Sequence, residues 1–220
     1  MGVYLLLVGL VVSRIGDNVA VFGLVLDAAG RPEPWAVALV YLAGMLPPVL
    51  VANHLGRLAD RLDPRRTWLV CLVIQSVTFT VAGAVPSFPV RMSAVAIGAM
   101  AGTLGGSVGF KLLNATAGED RAPHVNGLAS ASNSLSNIIA PALGGLVYAL
   151  AGSTPLLVAD GLSFLVLAGI AAATTPSIST EARPEGDPFV LTPLLRRLAP
   201  VMAAIILGVC LEGVAGVFYL

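Results

Sequence analysis

The chain has 220 residues, 57% of them hydrophobic and only 11% charged, with a mean hydropathy of +0.91. A soluble domain carries about 25% charged residues, so the composition excludes an ordinary water-soluble fold and points to an all-α, polytopic bundle whose first partner is the lipid bilayer. Twelve Lys and Arg balance twelve Asp and Glu with no basic run, which excludes a nucleic-acid partner that would need a cationic track.

A membrane-spanning helix needs about 20 mostly apolar residues, and seven stretches meet or nearly meet that length: 3–26, 35–53, 67–85, 92–113, 125–150, 155–174 and 199–220. The breaks between them hold Gly, Pro or clustered charge, as loops should. The first stretch has no basic region before it and no small-residue cleavage site after it, so it stays as a helix and is not a signal peptide. Near its middle Arg14 and Asp17 lie three apart, share a face and partly neutralise each other. Ionisable residues at that depth face a bundle interior or an aqueous cavity. They are therefore candidates for cavity lining or ion coupling, or else a charge pair that only fixes helix rotation.

The second stretch carries Pro47-Pro48, which removes two backbone donors and predicts a kink, either static or a hinge. Residues 56–67 then place six charges (Arg57, Asp60, Arg61, Asp63, Arg65 and Arg66) between two apolar runs. They read as a short aqueous loop, which the positive-inside rule puts in the cytoplasm. The bland reading of this loop is a topology anchor.

Its particular order is more specific. Gly56, Leu58, Asp60, Arg61 and the basic pair Arg65-Arg66 resemble the signature loop between the second and third helices of the major facilitator superfamily. The resemblance implies a gating role: Asp60 would face the N-terminus of a helix in an opposite half and latch the cytoplasmic gate. Gly56 would allow the close approach, and Arg61, Arg65 and Arg66 would pair with nearby acids and lipid headgroups. Asp63 and Pro64 depart from the family's usual residues there.

In the fourth stretch Gly98, Gly102 and Gly106 recur every four residues, a stripe for close helix packing. No arginine lies in mid-span, so the family's fourth-helix basic motif is missing. The fifth stretch has two kinds of face. Asn126, Ser130, Asn133 and Asn137 form a polar one, a candidate for cavity lining or for hydrogen bonds between helices. Ser136, Ala140 and Gly144 form a small-residue one. The run Ala140-Pro141-Ala142-Leu143-Gly144-Gly145 resembles the family's fifth-helix antiporter motif, with Ser136 and Ala140 standing where that motif has glycines. It favours export by antiport over uptake. Ser13-Arg14-Ile15-Gly16-Asp17 likewise resembles the first-helix opening of drug-efflux and secretion-type members, where that helix lines the central cavity.

Asp160 is expected near the outer end of the sixth helix, at headgroup level, and Glu212, in the middle of the seventh, needs a partner or a proton. Residues 175–198 read as a cytoplasmic linker. The domains expected are thus a six-helix half over 1–174, the linker, and the first helix of a second half over 199–220. The abrupt stop within that helix reads as a truncated chain, completed by a missing C-terminal half or by another chain.

Orientation follows from the loops: nine Lys and Arg fall on the side of residues 56–67 against two, Arg31 and Arg91, on the other. This puts the N-terminus in the cytoplasm of a cell whose inner membrane the chain crosses. Cys71 and Cys210 fall in apolar runs as packing residues, and no His, Cys or carboxylate spacing suits a metal. No cofactor is expected. An intramembrane enzyme would need a base beside its nucleophile, yet His54 and His124 lie at helix ends far from the serines of the spans. The function expected is proton-coupled efflux of a small molecule, and the alternative is a non-transporting membrane module.

Overall fold

The computed structural model describes residues 2–176. Over these the chain forms α1 (Gly2–Ala29), α2 (Ala36–Arg61), α3 (Pro64–Ala84), α4 (Phe88–Ala117), α5 (Ala122–Ala151) and α6 (Ser153–Thr174), with no strand among the described residues. All six helices are long and apolar enough to cross a membrane. The linker from residue 177 onward and the seventh apolar run, with Glu212 and Cys210, lie outside the described residues.

The charged stretch after the second span is mostly helix, which corrects the loop expected there. Gly56, Arg57, Asp60 and Arg61 occupy the last turns of α2, and only Leu62 and Asp63 separate it from α3. The reason is length. The 26 residues of α2 rise about 39 Å, against about 30 Å of hydrocarbon. Its final turns therefore stand among headgroups and water, where charged side chains incur no burial cost. The turn closes tightly because the Asp63 carboxylate accepts from the Arg66 backbone N–H at 2.7 Å and Pro64 begins α3, a cap with a preset first φ. α4 likewise runs on through Lys111 to Ala117. Two helix ends use glycine in the left-handed region: Gly118 at φ +78° ends α4 and Gly152 at φ +75° ends α5, with Ser153 opening α6 at once. α2 passes through Pro47 and Pro48 without a break in its helical assignment.

The packing is symmetric in pattern. α1 packs on α5 and α6, α4 packs on α2 and α3, and α3 meets α6, while α1 and α4 touch only sparsely. Matching α1 with α4, α2 with α5 and α3 with α6 leaves this pattern unchanged, as expected of two related three-helix units. A close seam joins α3 to α4. A Cβ added at Gly105 would lie 2.9 Å from Cys71 Cβ, and one at Gly109 would lie 2.7 Å from the Trp68 ring. Gly98 meets Phe79 and Thr78, Gly102 meets Gln75, and Gly106 meets nothing within 4 Å. The close-approach face is thus Gly98, Gly102, Gly105 and Gly109, in place of the strict four-residue stripe. Steps of four rotate about 40° off the face each time, whereas alternating four and three stays on it, so Gly106 has turned away toward open space.

Gly109→Val should therefore destabilise the bundle by about 1–3 kcal/mol through overpacking, while Gly106→Val should fall within about 0.5 kcal/mol of the parent. Detergent unfolding of the two variants side by side reads the difference.

Candidate functional site

Because α1 and α4 barely meet, a cavity of about 730 Å³ opens between them, floored by α3 and α6. Its polar lining is Ser13, Arg14 and Asp17 from α1, Gln75 from α3, and Thr103 and Ser107 from α4. The aromatic lining is Trp68 and Phe79 from α3, Phe110 from α4 and Phe164 from α6. Arg14 and Asp17 share a face as their spacing requires, but no direct ion pair closes between them. Thr103 and Ser107 donate their hydroxyls to carbonyls one turn back, at 2.9 and 3.1 Å, leaving their oxygens able to accept from a guest. Such a chamber suits a molecule with an apolar or aromatic body and a polar head.

A second cavity, of about 240 Å³, adjoins it between α1, α4 and α5 and shares Arg14, Trp68 and Phe110. Asn133 lines it. The other residues of the α5 polar face do not line either cavity: Ser130 and Asn137 are exposed, and half-buried Asn126 keeps its Oδ1 without a partner among the described residues. The small-residue face of α5 is the packed one. Ser136, Ala140 and Gly144 are buried, and a Cβ on Gly144 would lie 3.1 Å from Phe22 and 3.3 Å from the Val19 carbonyl of α1. Pro141 is exposed and Gly145 half-buried beside them.

At the Gly2 and Thr174 ends, which lie side by side, the α2–α3 turn is tied to its neighbours. Asp60 pairs with Lys111 of α4 at 2.8 Å, with both side chains exposed. The Arg65 guanidinium donates to the Ala172 carbonyl, capping the end of α6. The free carbonyls of a helix C-terminus offer that guanidinium an acceptor. Arg61 and Arg66 are exposed, and Gly56 has nothing within 4 Å among the described residues.

The opposite end holds a cluster that the sequence did not reveal. Arg91, first-turn residue of α4 and only 6% exposed, pairs with Asp27 of α1 and donates to the Ala82 carbonyl of α3 and to Ser153 of α6 at 3.0 Å each. Asp27 also accepts from Tyr148 of α5 at 3.2 Å and from Ser153 at 2.9 Å. Five helices meet on one ion pair. Asp160 is the other surprise: at 1% exposure it lies against Gly16, in mid-span of α1, and not at headgroup level. It is the eighth residue of α6, about 10 Å below the helix start. Among the described residues no group of three or more His, Cys, Asp or Glu is placed to hold a metal.

The model of the Major Facilitator Superfamily matches residues 5–220. No curated protein matches the chain.

The two ion pairs differ in what they hold. Asp27→Ala strands a buried guanidinium and should destabilise the bundle by about 3–5 kcal/mol. Asp60→Asn breaks an exposed pair and should change stability by less than about 1 kcal/mol. Unfolding in mixed detergent micelles measures both.

Proposed function

The chain belongs to the major facilitator superfamily and is a multi-pass membrane transporter, and from that premise we propose that it exports a small amphipathic molecule in exchange for protons. The observation that carries this reading is the cavity between α1 and α4, with an arginine and a carboxyl at mid-span beside four aromatic rings. The rings and aliphatic walls take the apolar body of the cargo. Arg14, Asp17 and Gln75 take its polar group, and Asp17 exchanges cargo for a proton.

The α2–α3 turn serves as the gate at the basic end. Asp60 and Lys111 form an exposed pair, worth little in water, so Asp60 is free to leave Lys111 for the positive N-terminus of a helix that closes against it. The packed α5 face supports the antiport reading. Ser136, Ala140 and Gly144 hold α5 so close to Val19 and Phe22 that a shift of α5 moves the turn of α1 that follows Asp17. Orientation follows from the charge count. The α2–α3 and α4–α5 turns lie at one end of the bundle, with both the start of α1 and the end of α6, and that end carries the Lys and Arg excess that faces the cytoplasm of a cell membrane.

A second reading is favoured by the outer faces of α2 and α5, where Leu50, Ile138 and Leu150 are more than 70% exposed. In it the six helices are one half of the transporter, completed by another helical unit or another chain.

The chain reconstituted in proteoliposomes should move a lipophilic cationic dye against an imposed proton gradient, with Asp17→Asn and Asp60→Asn each lowering the rate at least about tenfold, a loss of about 1.4 kcal/mol in coupling. Dye movement that ignores the gradient sinks the proton exchange. Movement that needs a second, co-reconstituted chain selects the half-transporter reading.

A further inference from the structure

The smaller cavity, of about 240 Å³ between α1, α4 and α5, has a lining of one sign. Arg14 of α1 and Asn133 of α5 are on its wall, and no Asp or Glu is. Trp68 and Phe110 supply two aromatic rings, and apart from the Ser132 hydroxyl the rest is glycine and aliphatic carbon. That hydroxyl donates to the Leu128 carbonyl at 2.7 Å. By contrast, the Arg14 guanidinium, the Asn133 amide and the Trp68 indole N–H have no acceptor among the described residues. Three donor groups thus border one small chamber, and nothing described there accepts from them.

Arg14 is the thirteenth of the 28 residues of α1, about 18 Å along the helix axis and so well inside the hydrocarbon. A guanidinium at that depth calls for an anion. Asp17 forms no ion pair with it and borders only the larger cavity, while Asp27 is committed to Arg91 at the far end. The counter-charge is left to a guest. Size narrows what that guest is: an apolar cavity of about 150 Å³ takes benzene, whereas drug-sized ligands need about 300 Å³ or more, so this chamber has room for one substituted ring. Gly106, where an added Cβ would meet nothing within 4 Å, bares the α4 backbone on the same wall, which lets a flat ring lie close. One cation balances a single negative charge, and a dianion would leave the second uncompensated.

We propose that the smaller cavity is a binding site for a small organic monoanion, a carboxylate carried on a single aromatic ring. The Arg14 guanidinium meets the carboxylate with paired N–H donors, the Asn133 amide adds a further one, and Trp68 and Phe110 take the ring. Arg14, Trp68 and Phe110 border both cavities, so the acid enters through the larger one. Asp17 borders only the larger cavity, and an anion seated on Arg14 leaves that carboxyl to a cargo of opposite charge. The site goes beyond the transport reading and is measured without transport.

The chain has two tryptophans, and Trp35 is exposed between α1 and α2 at the opposite end, so Trp35→Phe leaves Trp68 as the reporter. Bromine quenches indole fluorescence on contact. In the full chain in lipid nanodiscs, 4-bromobenzoate should quench Trp68 saturably and bind at least about tenfold more tightly than neutral 4-bromobenzamide, the margin of a charge-assisted hydrogen bond. Arg14→Gln should erase that preference. Ala129→Phe fills the smaller cavity alone, and Asn133→Asp, isosteric and at an exposed position, sets a carboxylate in it; each should abolish tight binding of the acid. An unchanged detergent-unfolding profile shows that a variant is folded, and Asn133→Asp decides the matter where Ala129→Phe is not. Equal binding of acid and amide by the parent overturns the anion site. So does a preference that survives Arg14→Gln, while tight binding that persists in a folded Ala129→Phe or Asn133→Asp chain puts the acid in the larger cavity and overturns this one as its site.

Discussion

A charge inside hydrocarbon must be neutralised where it stands, and this constraint organises the bundle. At one end Arg91 and Asp27 neutralise each other, and their remaining donors and acceptors are taken up by Ala82, Ser153 and Tyr148. The ion pair is thereby a junction that fixes the relative height of α1, α3, α4, α5 and α6. At mid-span the same constraint is met less completely: Asp160 is buried and its Oδ2 has no partner among the described residues. A fully satisfied cluster stiffens a fold, whereas a partly satisfied one leaves a buried group short of partners. The Arg91–Asp27 junction thus holds the helix ends, while Arg14 and Asp17, farther along α1, face the cavity.

The cavity is a consequence of where small residues lie. Gly98, Gly102, Gly105 and Gly109 draw α4 onto α3, and Gly9, Gly16 and Gly23 draw α1 onto α6, where added Cβ atoms would meet Leu167, Asp160 and Leu156. Each of the two helices is thereby pulled backward, onto a partner behind it, and neither has a matching face toward the other. The space left between α1 and α4 is therefore built into the packing. It needs no cargo to hold it open.

The same arrangement explains the roles left to α2 and α5. They pack on α4 and α1 respectively and bury few residues, so they form the flanks of the chamber. They also carry the motifs that resemble those of the superfamily: the charged end of α2 with Asp60 and the small-residue face of α5. Under the proposed function, the gating contacts sit on the least buried helices, the elements whose displacement disturbs the fewest core contacts.

The sequence by itself determined the number and approximate position of the first six spans, the side of the bundle that carries the positive excess, and the family. Each of these depends on local composition: a run of about 20 apolar residues declares its own need for lipid, and a motif of adjacent residues is read without knowing its neighbours. It also placed Arg14 and Asp17 on one face, because helical periodicity is local too. Only the tertiary structure decided that Asp160 is at mid-depth beside Gly16, that Arg91 is buried on Asp27, and that Gly105 and Gly109 rather than Gly106 make the seam with α3. In all three cases the partner is more than thirty residues away in the chain, and whether a charge is solvated or a glycine is in contact depends on which helix stands opposite it.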